Sequence, residues 1–216
     1  MHKSIINLND IKKKIYSKNL NFEPRIIAVS KTFSINHITP LIENGHIDFG
    51  ENKVQEAIEK WSKIKIVNKD IKLHMIGKLQ TNKVKYAINL FDYIHSLDSV
   101  KLAKKISEEQ NKNKKRLKIF IQINIGREEQ KSGIEVEELN NFYKLCTNDL
   151  NLNIIGLMCL PPIDSNIRTY FQEMKKLAKN ISLQNLSMGM SEDYLVAVEN
   201  GGNFLRIGSK IFGKRG

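Results

Sequence analysis

The stretch LKIFIQINI, residues 117–125, is a run of β-branched and aromatic side chains broken by two amides. It reads as a strand, with Gln122 and Asn124 on one face and Ile121 and Ile123 on the other. Seven further stretches read the same way: RIIAVSK (25–31), IDFG (47–50), KLHMI (72–76), YIHS (93–96), LNIIGLMCL (152–160), NLSMGM (185–190) and NFLRIG (203–208). Between them lie amphipathic segments. In DSVKLAKKISEEQNK, Val100, Ala103 and Ile106 share a face, as do Leu102 and Ile106, with lysines and glutamates turned to water and Asp98 or Ser99 as the cap. IRTYFQEMKKLAKN turns Phe171, Met174, Leu177 and Ala178 inward, and the opening segment carries apolar residues at 5, 8, 11 and 15, which is helical spacing. Eight strands alternating with helices, without a Pro/Gly/Ser linker, predict a parallel α/β fold. Closure as a single (β/α)8 TIM barrel is the economical solution, with an extra N-terminal helix and one domain over residues 1–216. A doubly wound open sheet is the alternative, weakened by the absence of a GxGxxG turn after the first strand.

The totals exclude several classes. The chain has 216 residues, 41% hydrophobic and 27% charged, which is ordinary globular usage. No apolar run approaches the roughly 18 residues of a membrane helix, and the N-terminus lacks an apolar signal core, so a cytoplasmic protein is expected. Cys146 and Cys159 are too few for a disulfide framework and lack metal spacing; both read as reduced, buried and inert. The net charge of +12 could draw nucleic acid. However, the chain is rich in Lys, Ile and Asn together, as under coding bias, and no basic cluster is interleaved with aromatics, so no nucleic acid is expected.

A barrel collects its chemistry at the C-terminal ends of its strands. Those positions hold Lys31, Glu51, Asn52, His74, Gly77, His95, Ser96, Asn124, Met158, Ser191, Arg206, Gly208 and Ser209. Lys31 follows Val29 and Ile27 on one face; if that face lines the barrel, its amine sits in a partly dry mouth and can attack carbonyls. Otherwise it is one more surface lysine. Arg206 shares a face with Phe204 and Gly208, and an inward arginine needs an anion or an acceptor such as a ring nitrogen. A structural ion pair with Glu199 would serve equally. Gly208-Ser209, running into a short helix, and Ser191 in SMGMSED suit a phosphate held between the last two strand loops. Gln122 and Asn124 contact either a ligand or each other's surroundings in a buried network. His74 fits packing or stacking better than acid–base chemistry, and His95 is weaker still. An amine, an inward arginine, a two-loop phosphate cradle and amides fit pyridoxal 5′-phosphate (PLP), and would also fit a class I aldolase acting on a sugar phosphate.

At these residues the sequence resembles the YggS-like pyridoxal phosphate homeostasis proteins. The matching stretches are AVSKT (28–32), DFGENKVQE (48–56), LHMIGKLQTNK (73–83), QINIGREEQKSGI (122–134), GLMCLPP (156–162), LSMGMSEDY (186–194) and RIGSKIFGKR (206–215). The resemblance implies a barrel like the N-terminal domain of alanine racemase, with PLP as an aldimine on Lys31. It also implies phosphate anchoring at Ser191, Gly208 and Ser209, Arg206 beside the pyridine nitrogen, and Asn52 near the cofactor. The candidate cofactor contacts are therefore Lys31, Asn52, His74, Met190, Ser191, Arg206, Gly208 and Ser209, with no catalytic residue and no metal. Four positions depart from the family pattern. Phe33 and Ser34 stand where many relatives have lysine and proline, Lys53 where an aromatic or apolar residue often follows, and Ser209 where threonine is commoner. Lys131 matches a family lysine that could make a secondary PLP contact.

Racemases of this fold, as the resemblance implies, add a tyrosine base from a second β-domain. With the last strand close to Gly216, no such domain is expected here. The expectation is a cytoplasmic monomer that sequesters PLP and delivers it to PLP-dependent apoenzymes. A weak amino-acid racemase is the alternative.

Overall fold

A computed structural model describes residues 1–128, 130, 132–162 and 166–213. Eight parallel strands close into a barrel in the order β1 to β8. They are β1 (Arg25–Val29), β2 (Asp48–Glu51), β3 (Lys72–Met75), β4 (Tyr93–Leu97), β5 (Lys118–Ile123), β6 (Ile154–Cys159), β7 (Asn185–Ser187) and β8 (Phe204–Ile207). β1 closes the ring on β8 through the pairs Arg25↔Phe204 to Ala28↔Ile207. All eight expected strands are present, and the first, fifth and seventh end short of their expected ends, at Val29, Ile123 and Ser187. Thr32, at φ 67°, turns the chain just after Lys31, and Gly189, at φ 89°, does so before Met190. Lys31 and Met190 therefore stand on loops above the strand ends.

Helices α1 (Lys3–Tyr16), α2 (Ile35–Glu43), α3 (Val54–Val67), α4 (Val84–Leu90), α5 (Val100–Asn113), α6 (Leu139–Lys144), α7 (Ile167–Asn180) and α8 (Tyr194–Glu199) lie outside the strands. The N-terminal helix α1 buries Leu8, Ile11 and Ile15. Asn7 there donates to the carbonyl of Ile211 at 2.9 Å, tying α1 to the short terminal helix α9 (Ser209–Phe212). Ser99 caps α5 by accepting the Leu102 N–H. Val100 does not join the buried face of α5 and is 42% exposed. The buried stripe runs through Leu102, Ala103, Ile106, Glu109 and Gln110, and Val100 lies roughly 120° from its centre on a 3.6-residue turn.

Two apolar layers separate cleanly by strand alternation. Residues such as Ala28, Leu205 and Ile207 face the helices. Ile27, Tyr93, Phe120, Met158 and Phe204 fill the barrel interior, with Phe120 and Phe204 edge-on at 4.9 Å between ring centroids. The interior below the C-terminal mouth is thus solid.

Candidate functional site

A cavity of about 490 Å3 opens at the C-terminal pole. Lys31, Asn52, Met190, Ser191, Arg206, Gly208 and Ser209 all line it, so seven of the eight candidate contacts meet at one place. Val29 and Ile76 form part of its lining, as the inward faces of β1 and β3 require. The remaining lining was not read from the sequence: Phe33, Leu160, Pro161, Pro162, Ile167, Glu192, Asp193 and Gly213. The GLMCLPP stretch carried a signal for three of these.

Two backbone anchors grip the loop that carries Lys31. On one side, Ser30 donates its hydroxyl to Glu51 Oε1 at 2.8 Å, and the buried Lys60 ammonium donates both to the Ser30 carbonyl and to the same Glu51 oxygen at 2.9 Å. Trp61 Nε1–H donates to that oxygen too, at 3.0 Å. On the other side, the Thr32 N–H donates to Glu56 Oε1 at 2.6 Å. Glu51 thus faces the helices and works from behind the mouth. Phe33 packs on Phe212 at 4.9 Å, clasping this loop to α9.

Arg206 is buried and turned inward, with Phe204 and Gly208, as alternation predicts. It makes no ion pair with Glu199, which pairs with Lys18 at 2.6 Å and Arg168 at 2.9 Å at the surface. Instead Arg206 donates to Ser187 Oγ at 2.6 Å and to the Cys159 carbonyl at 2.7 Å. Burial lowers its pKa, yet a guanidinium keeps its proton in proteins. Two of its five donors point away from the cavity, and the cation contributes positive potential to the cavity wall.

The loops after β7 and β8 meet at Ser191. Its hydroxyl accepts the Lys210 N–H at 3.3 Å, and its carbonyl accepts from the Lys210 ammonium. Gly208 passes close to β1, where a Cβ would lie 3.3 Å from the Val29 carbonyl oxygen. The Asp193 carboxylate accepts the Met190 N–H, fixing the β7 loop.

His74 stands apart from the other candidates. It does not line the cavity but lies fully buried below it, stacked on Tyr93 at 4.2 Å and hydrogen-bonded to Asp48 and His95. Ile76, its neighbour on the same face, reaches the mouth in its place. Gln122 and Asn124 satisfy a buried network: Gln122 donates to the Ser132 carbonyl, and Asn124 donates to the Glu128 carbonyl and the Glu135 carboxylate. Lys131 lies outside the described residues. Among the described residues no cluster of His, Cys, Asp and Glu could hold a metal, and no helix is long and apolar enough to cross a membrane.

Barrel, rim lysine and inward arginine together define the alanine-racemase class of barrel. Residues 6–216 match the family profile of the alanine racemase N-terminal domain. The chain is 38% identical over 200 residues to the pyridoxal phosphate homeostasis protein of Aquifex aeolicus, covering 88% of this chain and 87% of that one. Against the pyridoxal phosphate homeostasis protein of Haemophilus influenzae it is 37% identical over 224 residues, covering 97% and 94%. The PLP-bound structure of PipY from Synechococcus elongatus superposes with a TM-score of 0.81 at 30% identity, covering 94% of this chain and all of that one. The chain belongs to the pyridoxal phosphate homeostasis protein family.

Proposed function

We propose that this protein binds PLP in the C-terminal cavity and serves intracellular PLP homeostasis as a carrier. Lys31, at the cavity wall, would hold the cofactor through its amine at the aldehyde carbon. The observation that carries this reading is the convergence of Lys31, Ser191, Arg206, Gly208 and Ser209 on one cavity. Ser191, Gly208 and Ser209 hold the phosphate between two loops already joined through Lys210. Arg206 would face the pyridine nitrogen, and a cation there would disfavour a second positive charge on it. Asn52 and Met190, which line the same cavity, would contact the ring. The PLP-bound relative supports the same ligand.

When bound, PLP supplies a reactive aldehyde carbon and an electron-accepting ring. The residues around it are poorly equipped to exploit the ring. No tyrosine, histidine or cysteine occurs among the described lining residues. The Asp193 carboxylate is engaged by the Met190 N–H and the Glu192 carboxylate pairs with Lys210 at 3.4 Å, so Lys31 is the best-placed base. A site with one base on one face suits holding and releasing an aldehyde better than racemising amino acids. The reading extends to a cytoplasmic monomer whose receiving partners are PLP-dependent apoenzymes.

The test is borohydride reduction of the PLP-loaded protein, digestion and mass spectrometry. A pyridoxyl adduct on Lys31, lost in Lys31→Ala, is the expected result. An adduct elsewhere, or none, overturns the assignment, and robust exchange of amino-acid Cα protons by the purified protein overturns the carrier role.

A further inference from the structure

A continuous line of hydrogen bonds runs through the solid interior of the barrel and ends on Arg206. It starts at Arg25, whose Nη1 reaches both oxygens of Asp48 at 2.8 and 3.0 Å. Asp48 Oδ1 lies 2.9 Å from His74 Nε2, and His74 Nδ1 lies 2.9 Å from His95 Nε2. His95 Nδ1 lies 2.7 Å from Ser187 Oγ, which accepts from Arg206 Nη1 at 2.6 Å. Six strands each contribute one residue, and His74, His95 and Ser187 are fully buried.

The line has a direction. A carboxylate only accepts, so the His74 nitrogen facing Asp48 carries a hydrogen. Burial lowers the pKa of His74 despite Asp48, and holds His95 well below the ordinary value, with His74 and Arg206 adding repulsion. Both rings are neutral, and each then has one donor and one acceptor nitrogen. His95 Nε2 donates to His74, Ser187 donates its hydroxyl to His95, and Arg206 donates to Ser187. Every hydrogen points from Arg206 towards Asp48. Stacking of His74 on Tyr93 and of His95 on Phe120, at 4.4 Å, opposes ring flips, each of which would break two bonds.

We infer that Ser187, His95, His74 and Asp48 are positioning residues that lock the far edge of Arg206, so that its near edge is a fixed donor selective for a ring carrying an unprotonated nitrogen. This rests on the reading that Arg206 faces the pyridine nitrogen of PLP. A buried guanidinium held only by its Cα could swing towards other carbonyls at the mouth. Anchored at Ser187 and at the Cys159 carbonyl, its plane is set by two bonds in fork geometry. Asp48 fixes the sense of the chain at the opposite pole, one partner at a time.

The test compares equilibrium binding of PLP with that of 1-deazapyridoxal 5′-phosphate, which has carbon in place of the ring nitrogen. The wild-type protein should prefer PLP by about tenfold or more, the worth of a charge-assisted hydrogen bond. Ser187→Ala removes the anchor. Asp48→Leu keeps the approximate shape but removes the acceptor shared by Arg25 and His74, so nothing fixes the sense of the line. In both variants the preference should fall to within about threefold of unity, the loss of that single bond, while the borohydride adduct stays on Lys31. Equal weakening of both ligands, with the preference kept, would mean a purely structural role and overturns the inference. A wild-type protein that forms no Lys31 adduct would sink the PLP reading itself; an adduct on Lys31 with an unchanged preference sinks only this inference.

Discussion

The backbone N–H of Thr32 sits 2.6 Å from Glu56 Oε1, and Thr32 itself adopts φ 67°. A β-branched residue in the left-handed region is strained. Its neighbour Lys31 thus owes its place above the barrel to a turn that a carboxylate from α3 holds shut. Removing the carboxylate in Glu56→Ala should cost about 1.5–3 kcal/mol, the range for a hydrogen bond to a charged group, and should speed PLP dissociation. Urea unfolding and stopped-flow release would show both. Thr32→Gly, in contrast, relieves strain and should leave stability unchanged or raised while release still quickens. Unchanged release in both variants would mean that the turn does not govern Lys31.

Gly77 follows β3 and lies against the backbone of Asn52, where a Cβ would overlap the Asn52 carbonyl oxygen. Backbone cannot yield as a flexible side chain can. Gly77→Ala should therefore destabilise the fold by about 1–3 kcal/mol, as overpacking does, and shift Asn52 away from the cavity. The expected signature is a lowered Tm with weakened PLP affinity. A normal Tm would show that the β2 and β3 loops move apart freely.

His46 is pushed down to about 4 by burial, against the pull of Asp48, whose carbonyl accepts from its Nε2. His74 and His95 are lowered in the same sense. A folded state that binds protons less readily than the unfolded chain loses stability as pH falls. The His46 contribution is intact above the ordinary value of 6.5 and is lost on descent towards 4. Urea midpoints should therefore drop between about pH 7.5 and about pH 5, on either side of the ordinary histidine value. The drop should be smaller in His46→Gln, whose amide can still donate to the Asp48 carbonyl. An equal drop in the variant would assign the slope to other groups.

Cys146 and Cys159 are both fully buried, and burial pushes each thiol up to about 12. The thiolate is the reactive form, so neither should react with Ellman's reagent in the native protein. Both should react after denaturation. Rapid modification of native protein would show that β6 or the helix carrying Cys146 opens locally.

What the sequence made legible follows from periodicity. Alternation along 203–208 turned Arg206 inward beside Phe204 and Gly208, and the same rule put Ile27, Val29 and Lys31 on one side. Helical spacing found α7 to the residue, because Phe171, Met174 and Ala178 leave no other inward stripe. Depth was not legible. His74 and Ile76 share a face, yet only Ile76 reaches the cavity, because barrel shear decides which layer each residue joins. Partners of buried amides were also hidden: Asn124 is satisfied by Glu128 and Glu135, which lie on the following loop and whose approach no local pattern encodes. Pro161 and Pro162 wall the cavity, a placement that the GLMCLPP motif does not encode by itself.

Tyr93, Phe120 and Phe204 plug the barrel axis beneath the mouth. The chamber above them is a cul-de-sac. Whatever enters it must leave by the route it came, so loading and discharge share one doorway and a molecule waiting to enter stands in the way of the one departing. A recipient that collects the cargo directly has to face the strand C-termini, and while it is there it shuts out every competitor.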